Sequence, residues 1–313
     1  MEIIQSKTHF DFVRFRVVAF FLSGALLLLS VGSLLLQGLN LGIDFSGGTL
    51  VQVRFVKPPQ TDQIRTALAE LDLGDVVIQE FGSPEEILIR VEKQATGAEA
   101  QNALAARVVE TIKPLAADEK VELRRVEFVG PQVGSELTKS GLLAVFYSMI
   151  AILVYVGWRF EWRFAYGAIA ALVHDVTITM GLFSLLQLEF TLVVVAAVLT
   201  VIGYSVNDTI VVYDRIREER IRMKKQSMGE VINQAINDTL SRTVITSLTV
   251  VLVLVALLLF GGLVIHDFAL ALFCGVVVGT YSSIFVASPI VLLLDRNETG
   301  EAGKLLPQAT EAL

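Results

Sequence analysis

The chain is 313 residues long, 54% hydrophobic and 18% charged, whereas soluble domains carry roughly 25% charged residues. Its 25 Lys and Arg against 32 Asp and Glu leave a net charge of −7, which excludes the basic footprint of a nucleic-acid binder. A single Cys excludes an intrachain disulfide framework or a multi-Cys metal site, and three His argue against a dedicated zinc centre.

What is left is a membrane protein, in which each transmembrane helix needs about 20 predominantly apolar residues. The first such run is residues 17–36, behind Arg14 and Arg16. It exceeds the ~7–15 apolar residues of a signal peptide and no A-x-A site follows, so it reads as a retained span within an N-terminal region 1–39. The turn Gly42-Ile-Asp-Phe-Ser-Gly-Gly48 comes next, with glycines that permit positive φ and Asp44 placed to brace it.

Residues 40–139 hold 11 basic and 16 acidic residues and read as a folded domain. Apolar or alternating runs predict strands over 50–56, 76–81, 87–91 and 121–129. Helical patterns cover 61–71, with Thr61 as N-cap, and 98–112, ending before Pro114. The order β-α-β-β-α-β is the split arrangement of a ferredoxin-like domain, whose two helices leave the opposite sheet face open to a partner.

Residues 140–294 contain five further spans, at 141–158, 164–188, 190–213, 242–264 and 268–294. Arg159 and Arg163 lie between the second and third. Between the fourth and fifth, the loop 214–241 contains Arg215, Arg217, Arg220, Arg222, Lys224 and Lys225. With Lys7, Arg14 and Arg16 before the first span, the positive-inside rule puts both termini and this loop in the cytoplasm, and 40–139 outside. Trp158 and Trp162 suit an interfacial belt on the cytoplasmic side. Within the loop, Ser227-Met-Gly-Glu230 has capping-box spacing, and Val231, Ile232, Ala235, Ile236 and Leu240 form one apolar face, predicting a short amphipathic helix. A packed linker helix explains that face better than a docking site. Residues 295–313 are a cytoplasmic tail.

Inside the spans the ionisable groups at depth are His174, Asp175, Asp208 and Arg242. Charged groups in a bilayer are costly enough to be read first as functional. At ~1.5 Å per residue, Asp175 lies about 18 Å from the cytoplasmic end of its span and Asp208 about 9 Å, close to the depth of Arg242 on the next antiparallel helix. Tyr204, Ser205, Asn207 and Asp208 form a polar cluster, and Arg242, Thr246 and Thr249 share one helix face. These groups fit a proton path in which Arg242 tunes a carboxylate somewhat better than they fit an Asp208–Arg242 pair that only locks two helices. His174 suits a helix-to-helix hydrogen bond as well as proton transfer. Gly275 and Gly279 form a G-x-x-x-G suited to close packing. The chain lacks G-x-x-x-x-G-K-[ST], H-E-x-x-H and G-x-S-x-G, so any work it does is expected to draw on an ion gradient rather than ATP.

Several stretches together resemble the SecF family of protein-export membrane subunits, within the resistance-nodulation-division superfamily. They are Gly42-Ile-Asp-Phe-Ser-Gly-Gly48, the segment GPQVGSEL before the second span, and His174-Asp-Val176. GYSVNDTIVVYDRIRE from Gly203, SRTVITSLT from Ser241 and GTYSSIFVASP from Gly279 complete the set. The resemblance covers nearly the whole chain. It implies a six-span helical half of resistance-nodulation-division type with an external ferredoxin-like domain, and a transport component rather than an enzyme. It implies use of the proton-motive force at a late stage of preprotein passage, with no cofactor and protons as the coupling ion. The family's proton-linked Asp falls on Asp208 and its coupled Arg on Arg242, with a further carboxylate supplied by SecD. Asn207, Ser205, Thr246, Thr249, Asp175 and His174 are then supporting polar groups. Implied partners are SecD, the SecYEG channel, YajC, YidC, the preprotein and membrane lipid, with SecA acting upstream. Two other roles remain open at this point: a proton-driven exporter half for lipids or small molecules, and a non-transporting assembly subunit.

Overall fold

The computed structural model describes residues 9–71, 73–74, 76–91, 98–116 and 120–302. Lys7 and residues 303–313 of the tail lie outside the described residues. In lipid every backbone N–H and C=O must be paired internally, so long apolar runs without proline become helices. The first is α1 (Phe12–Leu36), where Asp11 caps the start by accepting from Arg14 N at 3.0 Å.

The next elements are β1 (Asn40–Leu41), α2 (Ile43–Ser46), β2 (Gly48–Arg54), α3 (Thr61–Ala69), β3 (Val76–Phe81), β4 (Ser83–Val91), α4 (Ala98–Ile112) and β5 (Glu122–Val129). The sheet order is β3-β4-β2-β5, antiparallel throughout, which is the ferredoxin-like topology expected from the strand and helix order. Helices α3 and α4 cover one face. There Val51, Val53, Ile64, Leu68, Ile87, Ile89, Val108 and Ile112 have no exposed surface. Each such side chain contributes about 1.5–3 kcal/mol on burial. The opposite face carries a smaller cluster of Ile43, Leu50 and Leu88, and Gln52 Nε2 donates to Glu86 Oε2 at 2.8 Å.

Two local expectations need correction. The N-cap of α3 is Gln60, still extended at φ −81° and ψ 116°, and Thr61 is already helical. Pro58 and Pro59 hold the preceding backbone extended, so the helix begins directly after them. Asp44 does not brace its own turn: its Oδ2 accepts from Leu192 N at 2.9 Å, the first residue of a later helix.

That later part comprises α5 (Pro131–Arg159), α6 (Trp162–Leu186), β6 (Glu189–Phe190), α7 (Leu192–Arg222), α8 (Met228–Phe260), α9 (Leu263–Ser282) and α10 (Ser288–Ala302), with a π-helical turn at Ser283–Ala287 joining the last two. β6 pairs in parallel with β1. Two compact units result: Asn40–Leu143 with Glu189–Leu192, and a helical unit from the rest of the chain. Among the described residues, six helical segments are long and apolar enough to cross a membrane.

The loop after α7 also differs from expectation. Its amphipathic segment is not a separate short helix but the start of α8, which runs unbroken from Met228 to Phe260. The capping box is present, with Glu230 N donating to Ser227 Oγ and Ser227 N to Glu230 Oε2. No Gly or Pro interrupts the chain from there to Gly261, so nothing ends the hydrogen-bond ladder. Val231, Ile232, Ala235 and Ile236 are buried against Phe164, Ala168, Tyr213 and Val291, so the apolar face packs within the bundle. The π turn has an identifiable cause. Pro289 has no N–H to donate to the preceding turn, and Ser288 Oγ supplies a bond to Ser283 O at 2.9 Å instead.

Candidate functional site

Asp175 on α6 has no exposed surface, yet both carboxylate oxygens are paired. Oδ1 lies 2.9 Å from His174 Nδ1. Oδ2 accepts from Ser205 Oγ of α7 at 2.6 Å and from Ser282 Oγ of α9 at 2.8 Å. The other ring nitrogen, His174 Nε2, is 3.1 Å from Ser23 Oγ of α1. Ser23 in turn lies 3.0 Å from Tyr281 Oη, which donates to the carbonyl of Ala19 at 2.9 Å. One buried network therefore joins α1, α6, α7 and α9.

Small residues make this approach possible. A Cβ on Gly275 would strike the Val201 side chain, and one on Gly279 would sit 3.1 Å from Ser205 Cβ and 3.5 Å from Asp175 Oδ2. The G-x-x-x-G of α9 thus seats α9 against α7 and leaves room for the serines to reach Asp175. Gly181 does the same for α6 against Ser30 of α1, beside a 2.8 Å contact between Ser33 Oγ and Ser184 Oγ.

Asp208 lies one turn beyond Ser205 on α7 and is 5% exposed. Ser283 Oγ, in the π turn, donates to its Oδ2 at 3.4 Å. Thr243 Oγ1 of α8 is turned toward this carboxylate but sits outside hydrogen-bond geometry and has no partner. Arg242 attracts Asp208 electrostatically from the same helix. Its side chain is nonetheless exposed and forms no ion pair with any described residue. A second polar step crosses the helices nearby, from Tyr204 Oη to Ser247 Oγ at 3.4 Å and on to Thr280 Oγ1 at 2.7 Å.

The residues singled out in the sequence therefore divide in two. His174, Asp175, Ser205 and Asp208 are buried, and the first three touch one another. Asn207, Arg242, Thr246 and Thr249 are exposed on the outside of the helical unit. Thr246 and Thr249 hydroxyls return to carbonyls of their own helix, at 2.9 Å to Arg242 O and 2.8 Å to Thr246 O. Sequence reading missed Ser23, Tyr281, Ser282 and Ser283. The run Thr280-Tyr-Ser-Ser283 in an apolar span carried a usable signal, whereas a lone serine such as Ser23 carried none. Chemically, buried carboxylates held by hydroxyls can exchange a proton, and an arginine beside one keeps its charge throughout.

Comparison with known proteins matches this chain to one family. The family described as protein export membrane protein SecD/SecF, C-terminal, covers residues 109–297, and the SecD/SecF GG motif covers residues 32–59. The protein translocase subunit SecF of Magnetococcus marinus is 62% identical over 94% of this chain and 95% of its own length. That of Vibrio alginolyticus is 48% identical over 94% and 92%. Among solved structures, SecDF from Thermus, described as a translocon-associated membrane protein, superposes with a TM-score of 0.84 at 37% identity over 94% of this chain. This chain spans 40% of the length of that SecDF chain. SecDF in a super-membrane-facing form matches with a TM-score of 0.68 at 38% identity, again over 40% of its length. With one relative 62% identical over 94% of the chain and the export family matched through all the later spans, this chain belongs to the SecF family of protein translocase subunits.

Proposed function

We propose that this chain works beside a SecD partner as the SecF half of a proton-driven device that promotes the late stages of preprotein translocation across the bacterial cytoplasmic membrane. Both termini then face the cytoplasm and the ferredoxin-like domain faces outward, with the SecYEG channel as the site of action. The observation that carries the reading is Arg242. It is an exposed cation on an apolar helix, flanked outward by Leu248, Leu252 and Val253, with no ion pair to any described residue. A guanidinium at membrane depth needs a counter-charge, because its desolvation is otherwise uncompensated. A carboxylate on a neighbouring SecD helix would supply it, and Asp208 would take up and release the coupled proton within reach of Arg242. Arg242 acts on Asp208 electrostatically without an ion pair between them, which supports a relay over a simple helix lock.

The test is Asp208→Asn in membranes containing SecD. Proton-dependent stimulation of export should be abolished while the SecD complex still assembles. Stimulation equal to that of the unmodified chain sinks the relay, and loss of assembly in proportion to activity would indicate a helix lock instead.

A further inference from the structure

The buried network around His174 contains a proton-counting constraint. Tyr281 has one hydroxyl proton, and it is committed to the Ala19 carbonyl, which can only accept. The Ser23–Tyr281 contact therefore requires Ser23 to donate to Tyr281 Oη. Ser23 has then spent its only proton, so its 3.1 Å contact with His174 requires Nε2–H as the donor. That leaves the 2.9 Å contact between His174 Nδ1 and Asp175 Oδ1, which also needs a hydrogen. It belongs either to Nδ1, giving imidazolium against carboxylate, or to Oδ1, giving a neutral imidazole against a neutral acid. Both assignments give the pair a net charge of zero and one proton more than a neutral histidine beside an ionised aspartate.

We propose that His174 and Asp175 form a second protonation site in the bundle, and that its proton is retained by the seating of α1 against Tyr281. Electrostatics supports this: the pair is buried, and a net-neutral dyad avoids placing an uncompensated anion in the bundle. The groups around it are Ser23 from α1, Thr179 from α6, Ser205 from α7, and Tyr281, Ser282 and Cys274 from α9, with Asp208 one turn beyond Ser205 on α7. No Lys or Arg among the described residues pairs with it, so nothing else neutralises Asp175. The switch follows from the same count. If α1 shifts so that Tyr281 loses Ala19, the tyrosine proton turns to Ser23 and the Ser23 proton turns to Nε2. Nε2 must then release its own proton to water, leaving an Nδ1–H imidazole that donates to an ionised Asp175.

This inference does not rest on the role given to Asp208, because its readout is a nitrogen rather than export. The full chain has three His, so histidine-selective 15N labelling in lipid bilayers gives a spectrum in which His174→Gln identifies the ring by subtraction. The expected result is a protonated Nε2 in the native chain and an unprotonated Nε2 in Tyr281→Phe, where Ser23 is free to donate. Ser23→Ala, which removes the acceptor, serves as a second variant and should also displace the Nε2 signal. An unprotonated Nε2 in the native chain overturns the proposal, as does an Nε2 that stays protonated and unshifted in both variants. Undiminished export by Asp208→Asn would leave these spectra, and therefore this inference, unaffected.

Discussion

Asp175 shows how a single carboxylate can be both costly and stabilising. Polar groups of three residues converge on it, and removing it leaves His174 Nδ1 and Ser205 Oγ without that partner, while Ser282 Oγ keeps only the Gly279 carbonyl at 3.1 Å. Each stranded group costs roughly 1–3 kcal/mol, so the two left by Asp175→Ala should lower stability by about 2 kcal/mol or more. Ser282→Ala removes one donor and should cost about 1 kcal/mol. Denaturant unfolding in detergent distinguishes the two, and equal effects would contradict the network. Gly275 is a steric counterpart. Gly275→Leu drives a side chain into Val201 and should destabilise the α7–α9 contact by about 1–3 kcal/mol, read as a lower unfolding midpoint. Asp175, His174 and Asp208 were legible in the sequence because ionisable groups in apolar spans are expensive. Ser23 was not, since a serine in a helix can satisfy itself on its own carbonyls and so gives no sign of a distant partner.

At the scale of elements, the first turns of α8 act on the start of the chain. Asn233 and Asn237, one turn apart, hold the backbone of residues 10–12. Asn237 Oδ1 accepts from Phe10 N at 2.9 Å, and Asn233 Oδ1 accepts from Phe12 N at 2.8 Å. Both amide groups also donate to Phe10 O, at 3.1 and 2.8 Å. Because α8 is one rigid helix, this clasp connects the entry of α1 to the helix that carries Arg242 and Thr243. Replacing both asparagines by alanine removes side-chain partners from the Phe10 and Phe12 amides. At about 1 kcal/mol per bond, exchange there should accelerate roughly 5- to 30-fold, measurable by hydrogen–deuterium exchange mass spectrometry. Unchanged protection of both amides would show that the clasp holds nothing. The capping box and the apolar face of this segment were readable from Ser227, Glu230 and the spacing of Val231, Ile232, Ala235 and Ile236. Its continuity with the following span was not, because it depended on treating two hydropathy classes as one unbroken backbone.

At the scale of the molecule, the two units answer to different solvents. The α+β unit has its own core, drawn wholly from residues between Val51 and Val126, and its sheet closes without help from the long helices. A fragment of residues 40–130 should therefore fold alone, with a mixed α/β circular dichroism spectrum and a cooperative melt. A gradual, non-cooperative melt would refute its independence. In the helical unit, α6, α7 and the α9–α10 pair supply most of the buried residues, whereas α1, α5 and α8 expose Phe21, Leu28, Phe146 and Leu252. Lipid or a partner subunit covers such faces, and it is on one of them that Arg242 stands.

Local chemistry determined much of this protein without reference to its fold. Apolar run length dictates the six spans, since an unpaired backbone is intolerable in lipid. The alternation of strands and helices dictates the ferredoxin-like domain, since antiparallel pairing around two helices has few solutions. The cost of buried charge marks Asp175, Asp208 and Arg242. What only the tertiary structure decided is which of these groups meet. Helix rotation and glycine-permitted approach turn Asp175 inward onto Ser205, Ser282 and His174, and leave Arg242 facing outward with no acid paired to it among the described residues. Contacts between helices depend on azimuth and on distances of a few tenths of an ångström. One-dimensional spacing reports which residues share a face of one helix, but not which face of the neighbouring helix they meet.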